Sequence, residues 1–305
     1  MSGPFAGVLV PVLTPFDSEL APDVDRFVDL CGRLLDRGAD GLALFGTTSE
    51  ANSMSAAERK ALLTAVRNGG IPGEKLMPGI GSCSVTETVD LLTHAAESEA
   101  AGALLLPPFF YKGAAASDDG LFDFVANVMR RTEGAATKIY LYHIPPVARV
   151  GWSIELVGRL LEAFPERIVG IKDSSGDWEN TKQLIVLYPQ LDVFPGSEVF
   201  LLDGLRAGAL GCITATGNLN LHGIRAVHAA WQSDQADTLQ QQATAVRSAV
   251  QAAGLPIAVM KAYFALQTGD PNWSRVRPPL RAVDPAAAAA LDEVLSALGF
   301  QFELF

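Results

Sequence analysis

Short apolar runs rich in β-branched residues alternate along this chain with longer amphipathic stretches. Runs at 7–13, 41–45, 75–79, 102–106, 138–143, 168–172, 192–195 and 211–215 read as strands. Between the first two, residues 23–36 set Val24, Phe27, Val28, Leu30, Cys31, Leu34 and Leu35 on one broad helical stripe. Ser55 with Glu58 three residues on has the capping-box pattern of a helix start. Further helices are predicted over 84–100, 117–131, 153–163, 177–187 and 197–207. Several strands are apolar nearly throughout, as a parallel sheet covered by helices requires.

Eight strands alternating with helices predict an α/β fold, a (β/α)8 TIM barrel over residues 1–220. An open doubly wound sheet is the competitor, but it usually brings a Gly-rich phosphate loop after its first strand. Here that place holds Val10-Pro11-Val12-Leu13-Thr14-Pro15. Residues 221–232, 237–252, 256–267 and 285–298 read as helices with no strand among them. No long flexible linker precedes them, so 221–305 is expected as a C-terminal helical extension packed on the barrel, one domain overall.

Composition narrows the function classes. A chain 49% hydrophobic and 19% charged can bury a sizeable core. Its net charge of −11, without a basic stripe, argues against a nucleic-acid surface. The longest apolar stretches, such as 101–110, fall well short of the ~20 residues of a membrane span, and the first residues lack a signal-peptide pattern. Cys31, Cys83 and Cys212 stand far apart without metal-type spacing. That usage predicts a cytoplasmic protein with neither disulfides nor a zinc site.

Barrel enzymes keep their chemistry at the carboxyl ends of the strands. The predicted strand ends present Gly46-Thr47-Thr48-Ser49-Glu50, Pro107-Pro108-Phe109-Phe110-Tyr111-Lys112, Tyr142-His143, Lys172-Asp173, Gly196-Ser197 and Thr214-Ala215-Thr216-Gly217-Asn218. They hold no converging carboxylate pair for glycoside hydrolysis and no H-E-x-x-H spacing for a metal. Gly79-Ile80-Gly81-Ser82 is half a phosphate loop at most, and reads as a strand-to-helix turn.

Lys172 stands out because it ends the apolar run Arg167-Ile168-Val169-Gly170-Ile171. Desolvating an ammonium is costly, and the same desolvation favours the free amine that a Schiff-base nucleophile requires. A structural reading stands beside the functional one at each position. Lys172 could snorkel to water or pair with Asp173, and Tyr142 could be a core tyrosine with a satisfied hydroxyl. Thr47 and Thr48 could cap the helix that follows, and His143 could serve only in packing. Their joint placement on strands two, five and six favours a site.

These residues resemble the dihydrodipicolinate synthase/N-acetylneuraminate lyase family of class I, pyruvate-dependent aldolases, over nearly the whole chain. Gly46-Thr47-Thr48-Ser49-Glu50 is similar to that family's G-[TS]-T-G-E motif, Tyr142-His143-Ile144-Pro145 to its Y-N-x-P motif, and Gly170-Ile171-Lys172-Asp173 to its G-[IV]-K-[DE] motif. Gly211-Cys212-Ile213-Thr214 falls at its G-x-I-[SG] strand. The resemblance implies that Lys172 forms an imine with a 2-oxo acid and that Tyr142 relays protons. It implies further that Thr47 and Thr48 hold the 2-oxo acid carboxylate, with Ile213 lining the pocket. It implies no metal or organic cofactor, and a homotetramer built as a dimer of dimers.

Three departures bear on the substrate. Phe110 stands where the family has a relay tyrosine, with Tyr111 next to it. Val147 stands where an arginine grips the aldehyde's carboxylate, with Arg149 two residues on, and Ser49 replaces a glycine. A lost arginine clamp removes a charge-assisted contact worth ~1.5–3 kcal/mol. The expectation is therefore a carbon–carbon lyase with pyruvate as nucleophilic partner. The alternatives are 4-hydroxy-tetrahydrodipicolinate synthase, acting on pyruvate and aspartate semialdehyde, and a 2-keto-3-deoxy sugar acid dehydratase.

Overall fold

The computed structural model describes residues 3–304. Among these described residues there are seven parallel strands: β1 Gly7–Val10, β2 Gly41–Leu42, β3 Gly102–Leu105, β4 Lys138–His143, β5 Ile168–Asp173, β6 Asp192–Pro195 and β7 Gly211–Ile213. They form two arcs, β2-β1-β7 and β3-β4-β5-β6.

The arcs join into a closed barrel through the segment predicted as the third strand. Met77 and Gly79 donate their N–H groups to Leu42 and Leu44 at 2.9 and 2.7 Å. On the other side, Gly102 and Leu104 donate to Leu76 and Pro78 at 3.3 and 2.9 Å. The segment is thus a stave of the barrel, although only Leu76 and Gly79 form bridges. Pro78 has no N–H to give the ladder, and so a run that reads as a strand is broken as one. The ring closes where Leu210 donates to Val193 at 3.2 Å and accepts from Gly7 at 2.8 Å.

Other strands are shorter than their apolar runs. Beyond Val10 the first strand's main chain bonds to side chains instead of to neighbouring strands. Leu13 N–H donates to Asn218 at 3.2 Å, Asn218 donates to the Pro11 carbonyl at 2.8 Å, and Ser49 Oγ donates to the Val12 carbonyl at 2.6 Å.

The barrel interior is filled from below. Tyr140 is fully buried, edge-on to Phe5 and Phe194, and its register partner on β5 is Gly170. A Cβ at Gly170 would run into the Tyr140 ring. Two residues on, the same face carries Tyr142 opposite Lys172, since side chains repeat every second residue along a strand. Leu9, Ala43, Met77, Leu104 and Ile213 complete this layer with Tyr142.

The remaining helices after β7 are Gly217–Ala230, Ala236–Ala252, Pro256–Thr268 and Pro285–Ala297. The first departs from helical angles at Asn220, the residue set as the end of the barrel. All four share one apolar core with β1 and the helix Val24–Asp36, through residues such as Val10, Phe27, Val250, Phe264 and Leu295. No single helix among the described residues is long and apolar enough to cross a membrane.

Candidate active site

Lys172 is 3% exposed, so it does not snorkel to water. Nor is it paired with its neighbour. The Asp173 carboxylate accepts from the Ser175 N–H at 2.9 Å, the Asn180 amide at 2.9 Å and the Thr181 hydroxyl at 2.6 Å, which turns it into the helix that follows β5. Lys172 Nζ instead lies 4.2 Å from the centroid of the Tyr142 ring, with no carboxylate partner among the described residues. An ammonium over an aromatic face is stabilised by the ring quadrupole, and a free amine there is unencumbered.

Tyr142 brings its hydroxyl to 3.2 Å from Thr47 Oγ1. Its backbone is held from behind, because the Trp152 indole N–H donates to the Tyr142 carbonyl at 3.2 Å. Trp152 is placed in turn by His143, whose Nδ1 accepts the Trp152 backbone N–H at 3.0 Å. Burial pushes the His143 pKa below its usual value, against a smaller opposite pull from Asp173. A neutral ring with Nδ1 as acceptor fits that bond, and gives His143 a supporting place beside the tyrosine.

Thr47 and Thr48 come from the loop after β2. The loop is pinned at both ends by residues in the left-handed region, Phe45 at φ 54° and Glu50 at φ 56°. Non-glycine residues persist there only when their surroundings over-determine them. Phe45 stacks on Phe27 with centroids 5.9 Å apart, and Thr14 Oγ1 donates to the Ser49 carbonyl at 2.8 Å. Glu50 accepts from Lys261 Nζ at 2.6 Å and from the Arg277 N–H at 2.8 Å. The backbone N–H groups of Thr47 and Thr48 then have no acceptor among the described residues. Paired free N–H groups and hydroxyls make an anion-binding hollow.

These side chains meet at a cavity of about 310 Å³, lined by Thr47, Thr48, Tyr142 and Lys172 on its barrel side. Ile213 packs in the apolar layer with Tyr142 and does not line it. Val147 lines the cavity, whereas Arg149 does not; it caps a short helix with φ 59° and points to solvent. Phe110 and Tyr111 form an exposed edge-to-face pair, 77% and 48% accessible, away from the cavity lining.

The dihydrodipicolinate synthetase family matches this chain over residues 4–298. The chain belongs to that family. It is 33% identical over 301 residues to a 4-hydroxy-tetrahydrodipicolinate synthase from Synechococcus sp., covering 97% of this chain and 96% of the relative. The crystal structure of dihydrodipicolinate synthase from Agrobacterium tumefaciens superposes with a TM-score of 0.89 at 31% identity, covering 96% of this chain and 99% of the other. YagE from Escherichia coli, a member of the family solved in complex with pyruvate, gives a TM-score of 0.87 at 25% identity, covering 97% and 99%. The protein is accordingly a TIM-barrel lyase of the class I aldolase type.

Sequence reading missed the outer half of this cavity. Arg247 and Gln251, one turn apart on Ala236–Ala252, line it opposite the barrel residues. Glu198, with no side-chain exposure, accepts from Arg247 Nη1 at 2.9 Å. Sequence periodicity marks such a helix as amphipathic without saying what its polar face meets.

Proposed function

We propose that this protein is a Schiff-base-forming aldolase in which Lys172 carries pyruvate as the nucleophilic partner. The observation that carries the reading is the buried Lys172 amine over the Tyr142 ring, beside a cavity that also holds Thr47. Nζ attacks the keto carbon, and a proton delivered through Tyr142 turns the oxygen into the hydroxyl of a carbinolamine. Loss of that hydroxyl as water gives a protonated imine, which draws electrons from C3. Loss of a C3 proton gives an enamine whose carbon attacks an aldehyde, and hydrolysis then returns the lysine and consumes one water. Cleavage runs the same steps backwards.

Tyr142 and Thr47, at 3.2 Å, form a proton path from the reacting centre. The free N–H groups and hydroxyls of Thr47 and Thr48 receive the pyruvate carboxylate. Borohydride reduction with pyruvate should trap an adduct at Lys172, read as a mass increase on that peptide. Absence of the adduct would remove every Schiff-base reading at once.

A synthase acting on aspartate semialdehyde is the second reading, favoured by the name of the Synechococcus relative. Against it, Val147 occupies the clamp position and Arg149 does not line the cavity. Coupled assays should give weak or no turnover of aspartate semialdehyde. Robust turnover would overturn this assignment, and a panel of 2-keto-3-deoxy sugar acids would show whether water loss replaces carbon–carbon cleavage. A homotetramer is also proposed, with the exposed Phe110–Tyr111 pair as one contact, testable by mass in solution.

A further inference from the structure

Arg247 is the arginine among the cavity-lining residues, and it comes from the C-terminal helices instead of from a strand end. Its side chain is 18% exposed, and Nη1 donates to Glu198 Oε2 at 2.9 Å and to Thr214 Oγ1 at 3.2 Å. Nη2 and Nε have no acceptor among the described residues. Glu198 is fully used by its surroundings: Thr214 donates to Oε2 and Thr216 to Oε1, and its side chain has no exposure. Gln240, two turns before Arg247, donates to the Glu198 carbonyl at 2.8 Å and accepts the Leu202 N–H at 3.0 Å. The guanidinium is therefore held in place on a residue that lines the cavity, with donors left over on a pair whose charge is already balanced.

That balance decides what the free donors suit. A carboxylate on the open edge of Arg247 would lie at roughly twice the distance from Glu198 as from the guanidinium. Coulomb repulsion at that spacing cancels about half of the attraction, and the carboxylate must still shed its water. A neutral carbonyl or hydroxyl oxygen meets the same donors without either cost. The cavity lining includes Val147, Phe200 and Ile257, which offer no charge, and the carboxylate of Asp173, also in the lining, is taken up by Ser175, Asn180 and Thr181.

We propose that Arg247 is a specificity-determining residue that reads the far end of the aldehyde partner and selects a neutral oxygen acceptor over a carboxylate. Glu198 is the positioning residue that sets this preference. The inference rests on the Schiff-base reading above and names the substrate class for the same cavity.

The test compares pyruvate-dependent condensation of three four- or five-carbon aldehydes: succinic semialdehyde, its methyl ester, and pentanal. The native protein should prefer the ester to the acid by tenfold or more in kcat/KM. Arg247→Met should lower the ester to the level of pentanal. Glu198→Gln leaves the guanidinium charge unbalanced, and should shift the ester-to-acid ratio toward the acid by about tenfold. Glu198→Asp, which draws the carboxylate back from the guanidinium by one methylene, provides a milder variant with a shift in the same direction should Glu198→Gln fail to fold. A purely structural pair would lower all three substrates together and leave the ratios unmoved. Unmoved ratios, a native preference for the acid, or refusal of all three aldehydes by a protein that forms the pyruvate adduct would each overturn the inference. Loss of the borohydride adduct itself would instead strike the Schiff-base reading.

Discussion

Glu50 and Lys261 stand 211 residues apart in the chain, yet form an ion pair at 2.6 Å in which neither side chain is exposed. The pair fastens the Thr47–Thr48 loop to the helix Pro256–Thr268, and Lys261 Nζ also lies 4.4 Å from the centre of the Phe16 ring. Burial lowers the Lys261 pKa to about 8, only partly offset by Glu50. Removing one partner from such a pair leaves an uncompensated charge in the interior, which typically costs about 3–5 kcal/mol. Lys261→Met should lose that much in denaturant unfolding and weaken pyruvate binding. The double variant with Glu50→Gln should recover part of the stability. A loss below about 1 kcal/mol would mean that the loop does not lean on this pair.

Glu58 supplies a pH dependence of known sign. Hydrogen bonds from Arg277 hold its carboxyl at about 2, below the reference value of 4.5. The unfolded chain therefore binds the extra proton first as acid is added. The stabilisation is complete above pH 4.5 and is lost as pH falls through about 2. In Tm measurements against pH, the gap between the native protein and Glu58→Gln should be widest above pH 5 and close toward pH 2. A constant gap would assign the effect to lost helix capping by Ser55 and Glu58 alone.

Tyr142→Phe keeps the ring under Lys172 and deletes only the hydroxyl bonded to Thr47. Turnover should drop by about 10²–10⁴, the usual contribution of a proton-transfer group. Pyruvate affinity should change far less. Equal losses in kcat and in pyruvate binding would contradict the relay.

Gly170 makes room for Tyr140 beneath Lys172, since an added Cβ would meet that ring and the Asp192 carbonyl. Gly170→Ala should destabilise by about 1–3 kcal/mol through overpacking. Because Lys172 lies two residues further along the same strand, adduct formation should slow as well. Adduct formation at the native rate would show that the strand absorbs the strain locally.

Much of this protein is readable one segment at a time. Strand period and helix period fix which residues face inward, so Tyr142, Lys172, Thr47 and Thr48 could be placed at strand ends before any contact was known, and motif resemblance pointed to their chemistry. The barrel itself follows from the alternation of apolar runs and amphipathic stretches. What chain-local patterns could not give was pairing over long separations. Nothing near Arg247 or Lys261 in the chain announces that they meet Glu198 and Glu50, because such bonds depend on how finished elements pack. Likewise Ile213 falls in the packed layer instead of on the cavity wall, whereas Pro78, which breaks the ladder of the third run, is visible in the sequence itself. Local physics determined the elements and the place of Lys172 at a strand end; only tertiary packing, which brings the C-terminal helices across the barrel mouth, decided the far half of the cavity.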